Sequence, residues 1–173
     1  MEKTVWGLVC KASLHILAST DVQADRLETV VVGWNRKKAY VIDYFISEGN
    51  TYDLESECWQ MLTKSTSGKW FRTGKKRWPL GVSLLKADLY NRLKLDESSK
   101  ESVEFCEGLP EEYYKQLTAE ELQIKEIKTG SLKHQWVKTY QANEALDTLT
   151  NNLGLHTILF ANYSEDRWKQ LEN

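Results

Sequence analysis

Apolar residues in the first third of the chain fall in short blocks between polar breaks. Leu14–Ala18, Leu27–Trp34 and Ala39–Ile46 are rich in β-branched and aromatic side chains. The breaks, Asp21–Asp25 and Asn35–Lys38, carry turn-forming polar and basic residues. This predicts three consecutive strands in an antiparallel meander, ended by Gly49-Asn50. The spacing then changes. Leu54, Cys58, Trp59, Met61 and Leu62 fit one face of a helix over Tyr52–Leu62, and Leu84, Leu85, Leu89, Tyr90 and Leu93 fit a second over Leu84–Leu95. Pro79–Val82 reads as a short strand or the approach to one.

Leu109–Tyr114 reads as a short helix with Pro110 at its start. Thr118, with Glu121 three residues on, has capping-box spacing and predicts a further helix start. Ile124–Ile127 and Gln135–Thr139 are short strands joined through Gly130-Ser131. Ala142–Leu153 is a helix stopped by Gly154, and Ser164 caps a terminal helix reaching Leu171. Strands first, then helices mixed with strands, is an α/β or α+β order in one domain.

Composition narrows the picture. The 173 residues are 41% hydrophobic and 28% charged, with net charge −2, which suits an ordinary globular domain and gives no global basic field. Contact with nucleic acid would have to be local. The segment Thr63–Lys69 is small, polar and Gly-bearing, and reads as a loop. It leads into Lys69–Trp78, where Lys69, Arg72, Lys75, Lys76 and Arg77 alternate with three aromatic rings. That is the pattern of a solvated loop, and also of a strip that meets a DNA backbone. The three cysteines lie far apart, with no CxxC pair and no His at zinc-ligand spacing, and read as reduced thiols. His15, His134 and His156 are scattered and suggest no site. Without a signal-peptide pattern or a membrane-length apolar run, a soluble cytoplasmic protein is expected. Seven Trp and eight Tyr are most simply core or interface residues.

One acid stands out. Asp21 follows an apolar strand and precedes another, a place where a carboxylate begins a turn or serves as a metal ligand. The run Thr20–Trp34 (TDVQADRLETVVVGW) resembles the opening of the nuclease domain in the large terminase subunit of lambda-type tailed phages. Three later blocks in the same order are similar to that family: Trp78–Leu93, Tyr113–Glu120, and Trp136 followed by Asn143–Asp147. The resemblance implies a ribonuclease H-like α/β nuclease fold. It also implies cleavage of double-stranded viral DNA with Mg²⁺ or Mn²⁺ during packaging, in a bacterial host cell and beside other packaging proteins.

Two-metal cleavage needs carboxylates from separate parts of the chain. The resemblance gives Asp21 as the bridging metal ligand, Asp147 as the closing one and Glu144 a turn earlier. Lys86 would hold the scissile phosphate, and Arg92 would contact the backbone. Read without the family, Glu144 and Asp147 are solvated helix acids, and Lys86 and Arg92 surface charges. Two departures from the family matter. No G-x-x-x-x-G-K-S/T loop occurs, so the chain offers no ATP site of that kind. The interval Thr63–Arg77, where the family carries a further acidic motif, contains no Asp or Glu, and neither Asp43 nor Glu48 is favoured by spacing as a replacement. Two functions stay open: a metal-dependent endonuclease, weakened or not, and a silent module that binds DNA or packaging proteins, as a prophage remnant or an interfering copy.

Overall fold

A computed structural model describes residues 13–51, 80–126 and 131–172. Strands β1 (His15–Val22), β2 (Arg26–Trp34) and β3 (Ala39–Glu48) form the expected antiparallel meander. Helix α1 (Val82–Arg92) follows, then β4 (Val103–Phe105), α2 (Glu111–Leu117), β5 (Glu120–Glu126), β6 (Leu132–Lys138), α3 (Glu144–Phe160) and α4 (Glu165–Glu172). The architecture is mixed α/β. One sheet has the order β1-β2-β3-β4, with β4 parallel to β3, and β5 and β6 form a separate antiparallel pair.

The core lies between the first sheet and α3. Directly opposed residues of an antiparallel pair share a face, so His15, Leu17 and Asp21 of β1 line up with Trp34, Val32 and Glu28 of β2. Val30, Val32, Trp34 and Val41 of that face are buried with Ala145, Leu146, Leu149 and Leu153 of α3. Asn152 fastens the layers: its Oδ1 accepts from Trp34 Nε1 at 2.8 Å, and its Nδ2 donates to Leu17 O at 3.1 Å.

The register of β2 on β3 shifts between Val31 and Val32, leaving Ile42 as an extra residue. Ala39 and Val41 face α3 before this bulge. After it Tyr44 faces α3, while Asp43 stands opposite Val31 on the other side of the sheet. There Asp43 Oδ1 accepts from the Tyr44 backbone N–H at 2.8 Å.

Three sequence expectations are corrected, and one strand is new. Gly154 does not stop its helix, which runs on to Phe160. A Cβ at Gly154 would meet Leu80 at 3.0 Å and Leu85 at 3.1 Å, so this glycine is a packing notch rather than a cap. Thr118 does not open a helix. Its hydroxyl donates back to Tyr114 O at 3.0 Å, closing α2, and Thr139 N donates to Ala119 O at 2.7 Å, drawing the chain into a strand. Pro79–Val82 supplies no described strand, since α1 already begins at Val82. Strand β4 went unforeseen, because three residues carry too little pattern. The expected helix Tyr52–Leu62 and the expected loop Thr63–Arg77 lie outside the described residues. No described helix is long and apolar enough to cross a membrane.

Candidate functional site

The charged residues of this face converge on the first turn of α3. Asn143, the residue before the helix, does not cap it with its side chain. Its Nδ2 instead donates to Glu120 Oε1 at 2.8 Å and to Asp147 Oδ2 at 2.9 Å. The capping role passes to another element, since Gln116 Oε1 accepts from the Ala145 backbone N–H at 3.1 Å. Glu144 and Asp147 sit in the first turn, where the helix dipole favours acids.

Two groups of ion pairs result. In the first, Lys86 reaches from α1 and places its ammonium 2.8 Å from Glu120 Oε1 and 2.8 Å from Asp147 Oδ1. The side chains of Lys86 and Glu120 are both 8% exposed, so this is a buried pair. Burial works to lower the Lys86 pKa, but the hydrogen bonds to Asp147 and Glu120 outweigh it and hold the ammonium above its ordinary value. Tyr90 completes the group by donating its hydroxyl to Glu120 O at 2.7 Å.

In the second group, Arg26 Nε lies 2.6 Å from Glu28 Oε1, and its Nη2 lies 3.7 Å from Glu144 Oε1. Glu28 is almost fully buried. Its other oxygen accepts from the Tyr44 hydroxyl, whose pKa is pushed well up by burial and by that carboxylate. The bond to Glu28 likewise raises the Arg26 pKa. A cavity of about 340 Å³, lined by Arg26, Tyr140, Gln141, Ala142 and Glu144, opens on this pair.

The positions singled out in the sequence are thus distributed between two groups. Asp21 is the last residue but one of β1 and stands opposite Glu28 on the α3 face, where Gln23 Nε2 donates to it. Lys86 and Asp147 are in direct contact, while Glu144 turns to Arg26. Arg92 faces away from all of these. It pairs with Asp88 at 2.9 Å and donates to Lys37 O at 2.7 Å, tying α1 to the β2–β3 turn. Lys69, Arg72, Lys75, Lys76 and Arg77 lie outside the described residues.

Sequence reasoning missed Arg26, Glu28, Glu120 and Asn143. The signal for Glu28 was present: in Arg26–Trp34 it shares strand parity with Val30, Val32 and Trp34, which makes it an inward acid. Glu120 was hidden by its reading as part of a helix.

The implied metal pair does not fit this arrangement. Among the described residues no three His, Cys, Asp or Glu side chains gather where they could hold a metal ion. A divalent ion at Asp147 would stand against the Lys86 ammonium, and one between Glu28 and Glu144 against the Arg26 guanidinium. A larger cavity of about 620 Å³, bordered by Arg36, Lys37, Lys38 and Lys100, lies near the β2–β3 turn. Three of its cations are already paired, Arg36 with Glu165 and Glu172, Lys37 with Glu101 and Lys38 with Glu104, so it makes a poor anion site.

Neither a curated protein nor a solved structure matches the chain. One family does, described as the terminase large subunit gpA endonuclease domain. It is matched in two pieces, residues 1–77 and 63–168, which overlap at the interval where the acidic motif is missing from the sequence. Blocks on both sides of that interval carry the family pattern, and the chain belongs to the family of terminase large subunit gpA endonuclease domains.

Proposed function

We propose that this chain is a terminase nuclease-like module that holds double-stranded DNA and cuts it weakly or not at all. The observation that carries this reading is that the acids around the first turn of α3 are neutralised in place by Lys86 and Arg26. A two-metal nuclease leaves its carboxylates for the ions, one activating water and the other stabilising the leaving oxygen. Here the chain's own cations do the neutralising, and the interval that should bring a further acid has none. Mg²⁺ demands near-ideal geometry and tolerates such losses poorly. Binding, which needs cations more than carboxylates, is the part of the family's activity that survives.

The endonuclease reading is favoured by one contact. Lys86 touches Asp147, as a phosphate-holding lysine beside a metal ligand would. A plasmid assay with Mg²⁺, Mn²⁺ or EDTA, on the wild type and on Asp21→Asn, separates the two. We expect faint Mn²⁺-dependent nicking at most, together with DNA binding that falls steeply with salt. Strong Mg²⁺-dependent cleavage abolished by Asp21→Asn would refute the proposal. Absence of both cleavage and binding would leave a role toward packaging proteins.

A further inference from the structure

The pair β5–β6 leaves the body as a ribbon. Its foot is anchored by Glu120 on Lys86, and by Trp136, whose Nε1 donates to Ser83 Oγ at 3.1 Å and whose ring lies 5.3 Å from that of Tyr90. Seven residues per strand make it about 23 Å long. Beyond the foot its side chains are exposed.

The register sorts the two faces. Glu120, Leu122 and Ile124 oppose Lys138, Trp136 and His134 on the face that meets α1. On the other face Gln123 stands directly opposite Gln135, and Lys125 directly opposite Lys133. Like charges directly across a strand pair repel, and a sheet with a free choice of residues avoids them. Among the described residues neither lysine forms an ion pair that would relieve this. Glu121, the nearest acid on that face, opposes Val137, four residues along each strand from the lysines. Two adjacent ammonium groups next to two adjacent carboxamides, on a solvent-facing ribbon, form a local cationic strip on a chain of net charge −2.

We infer that this face of the β5–β6 ribbon is a contact surface for the phosphate backbone of double-stranded DNA. Lys125 and Lys133 neutralise phosphates, and Gln123 and Gln135 lie beside them. A two-stranded ribbon is an element that the major groove, about 12 Å wide, admits, and lysines on its face then lie toward the phosphates that border the groove. Bound phosphates also supply the counter-charge that the opposed lysines lack. The inference rests on the DNA-holding function proposed above, but it names a surface separate from the acids of α3.

The test is fluorescence anisotropy of the full chain with a short labelled DNA duplex across a salt series. The variants are Lys125→Gln with Lys133→Gln, the same pair changed to Arg, and Ile124→Ser with Leu132→Ser on the opposite face. Each lost phosphate contact removes about 0.9 from the slope of log affinity against log salt. The Gln pair should therefore flatten the slope by about 1.8 and weaken binding by up to about 60-fold at 0.1 M salt. The Arg pair should bind as the wild type does. Without DNA the Gln pair should melt no lower than the wild type, because a repulsion has been removed. Unchanged slope and affinity in the Gln pair, with the wild type still binding, would overturn the ribbon assignment and leave the proposed function standing. Failure of the wild type to bind the duplex would overturn both. Loss of binding in the Ser pair alone would also overturn the assignment, moving the contact to the apolar face.

Discussion

Acid should destabilise this domain through two buried histidines, beginning below about pH 6.5. His15 and His156 stack 5.2 Å apart, nearly parallel, among Trp34, Phe160 and Trp168. Among the described residues neither ring nitrogen of His15, nor Nε2 of His156, has a hydrogen-bond partner. Burial lowers both pKa values from 6.5 to about 4, and each ring's charge would oppose the other's. The charge of Arg92 also disfavours protonation of His156. Because the folded values are depressed, the unfolded chain takes up these protons first. Stability is full above about pH 6.5 and is lost as pH falls toward about 4. At pH 5 the linkage costs about 2 kcal/mol per ring, and discounting for the partial exposure of His15 leaves about 2–3 kcal/mol for the pair. Urea unfolding followed by tryptophan fluorescence at pH 7.5, 6 and 5 measures this. His15→Phe, which keeps a ring in the stack and removes one titrating group, should recover about half of the loss. Equal stability at pH 7.5 and pH 5, or an unchanged pH profile in His15→Phe, would refute the reasoning.

Lys86→Met should cost about 3 kcal/mol at pH 7, because it leaves the buried Glu120 charge without its cation. Urea denaturation measures it, and a deficit below about 1 kcal/mol would contradict it. Tyr113→Phe should be neutral or stabilising by about 1 kcal/mol, because the Tyr113 hydroxyl is buried without a partner among the described residues, while its ring packs tilted against Tyr44 and edge-on against Phe105. A thermal melt that falls by several degrees would contradict this.

The meander and α3 were readable because strong local patterns and tertiary packing agree there. Val30, Val32 and Trp34 alternate toward the core, and the Ala145-Leu146, Leu149 and Leu153 spacing follows the helical period. Boundaries failed where a distant partner decided them. Gly154 looks like a stop until Leu80 and Leu85 arrive to fill its notch. Thr118 and Glu121 look like a capping box until Tyr90, Lys86 and Asn143 claim Glu120 for a strand. The site was half visible. Lys86, Glu144 and Asp147 could be picked out by family resemblance, but their partners come from β2 and β5, and no local spacing links a lysine in α1 to acids 34 and 61 residues further on.

The bulge at Ile42 acts as a punctuation mark in the pleat. Leaving Ile42 out of the pairing decides that a phenol, rather than an acid, is presented to Glu28. Deleting Ile42 would keep this presentation, because Val41, Asp43 and Tyr44 would then alternate regularly against Val32, Val31 and Val30; pairing Ile42 in register would instead turn the Asp43 carboxylate toward α3 and the Tyr44 ring away from it. What separates the present face from one on which Asp21, Glu28 and a third strand acid would lie on the same side is thus the pairing of one residue, not the identity of any.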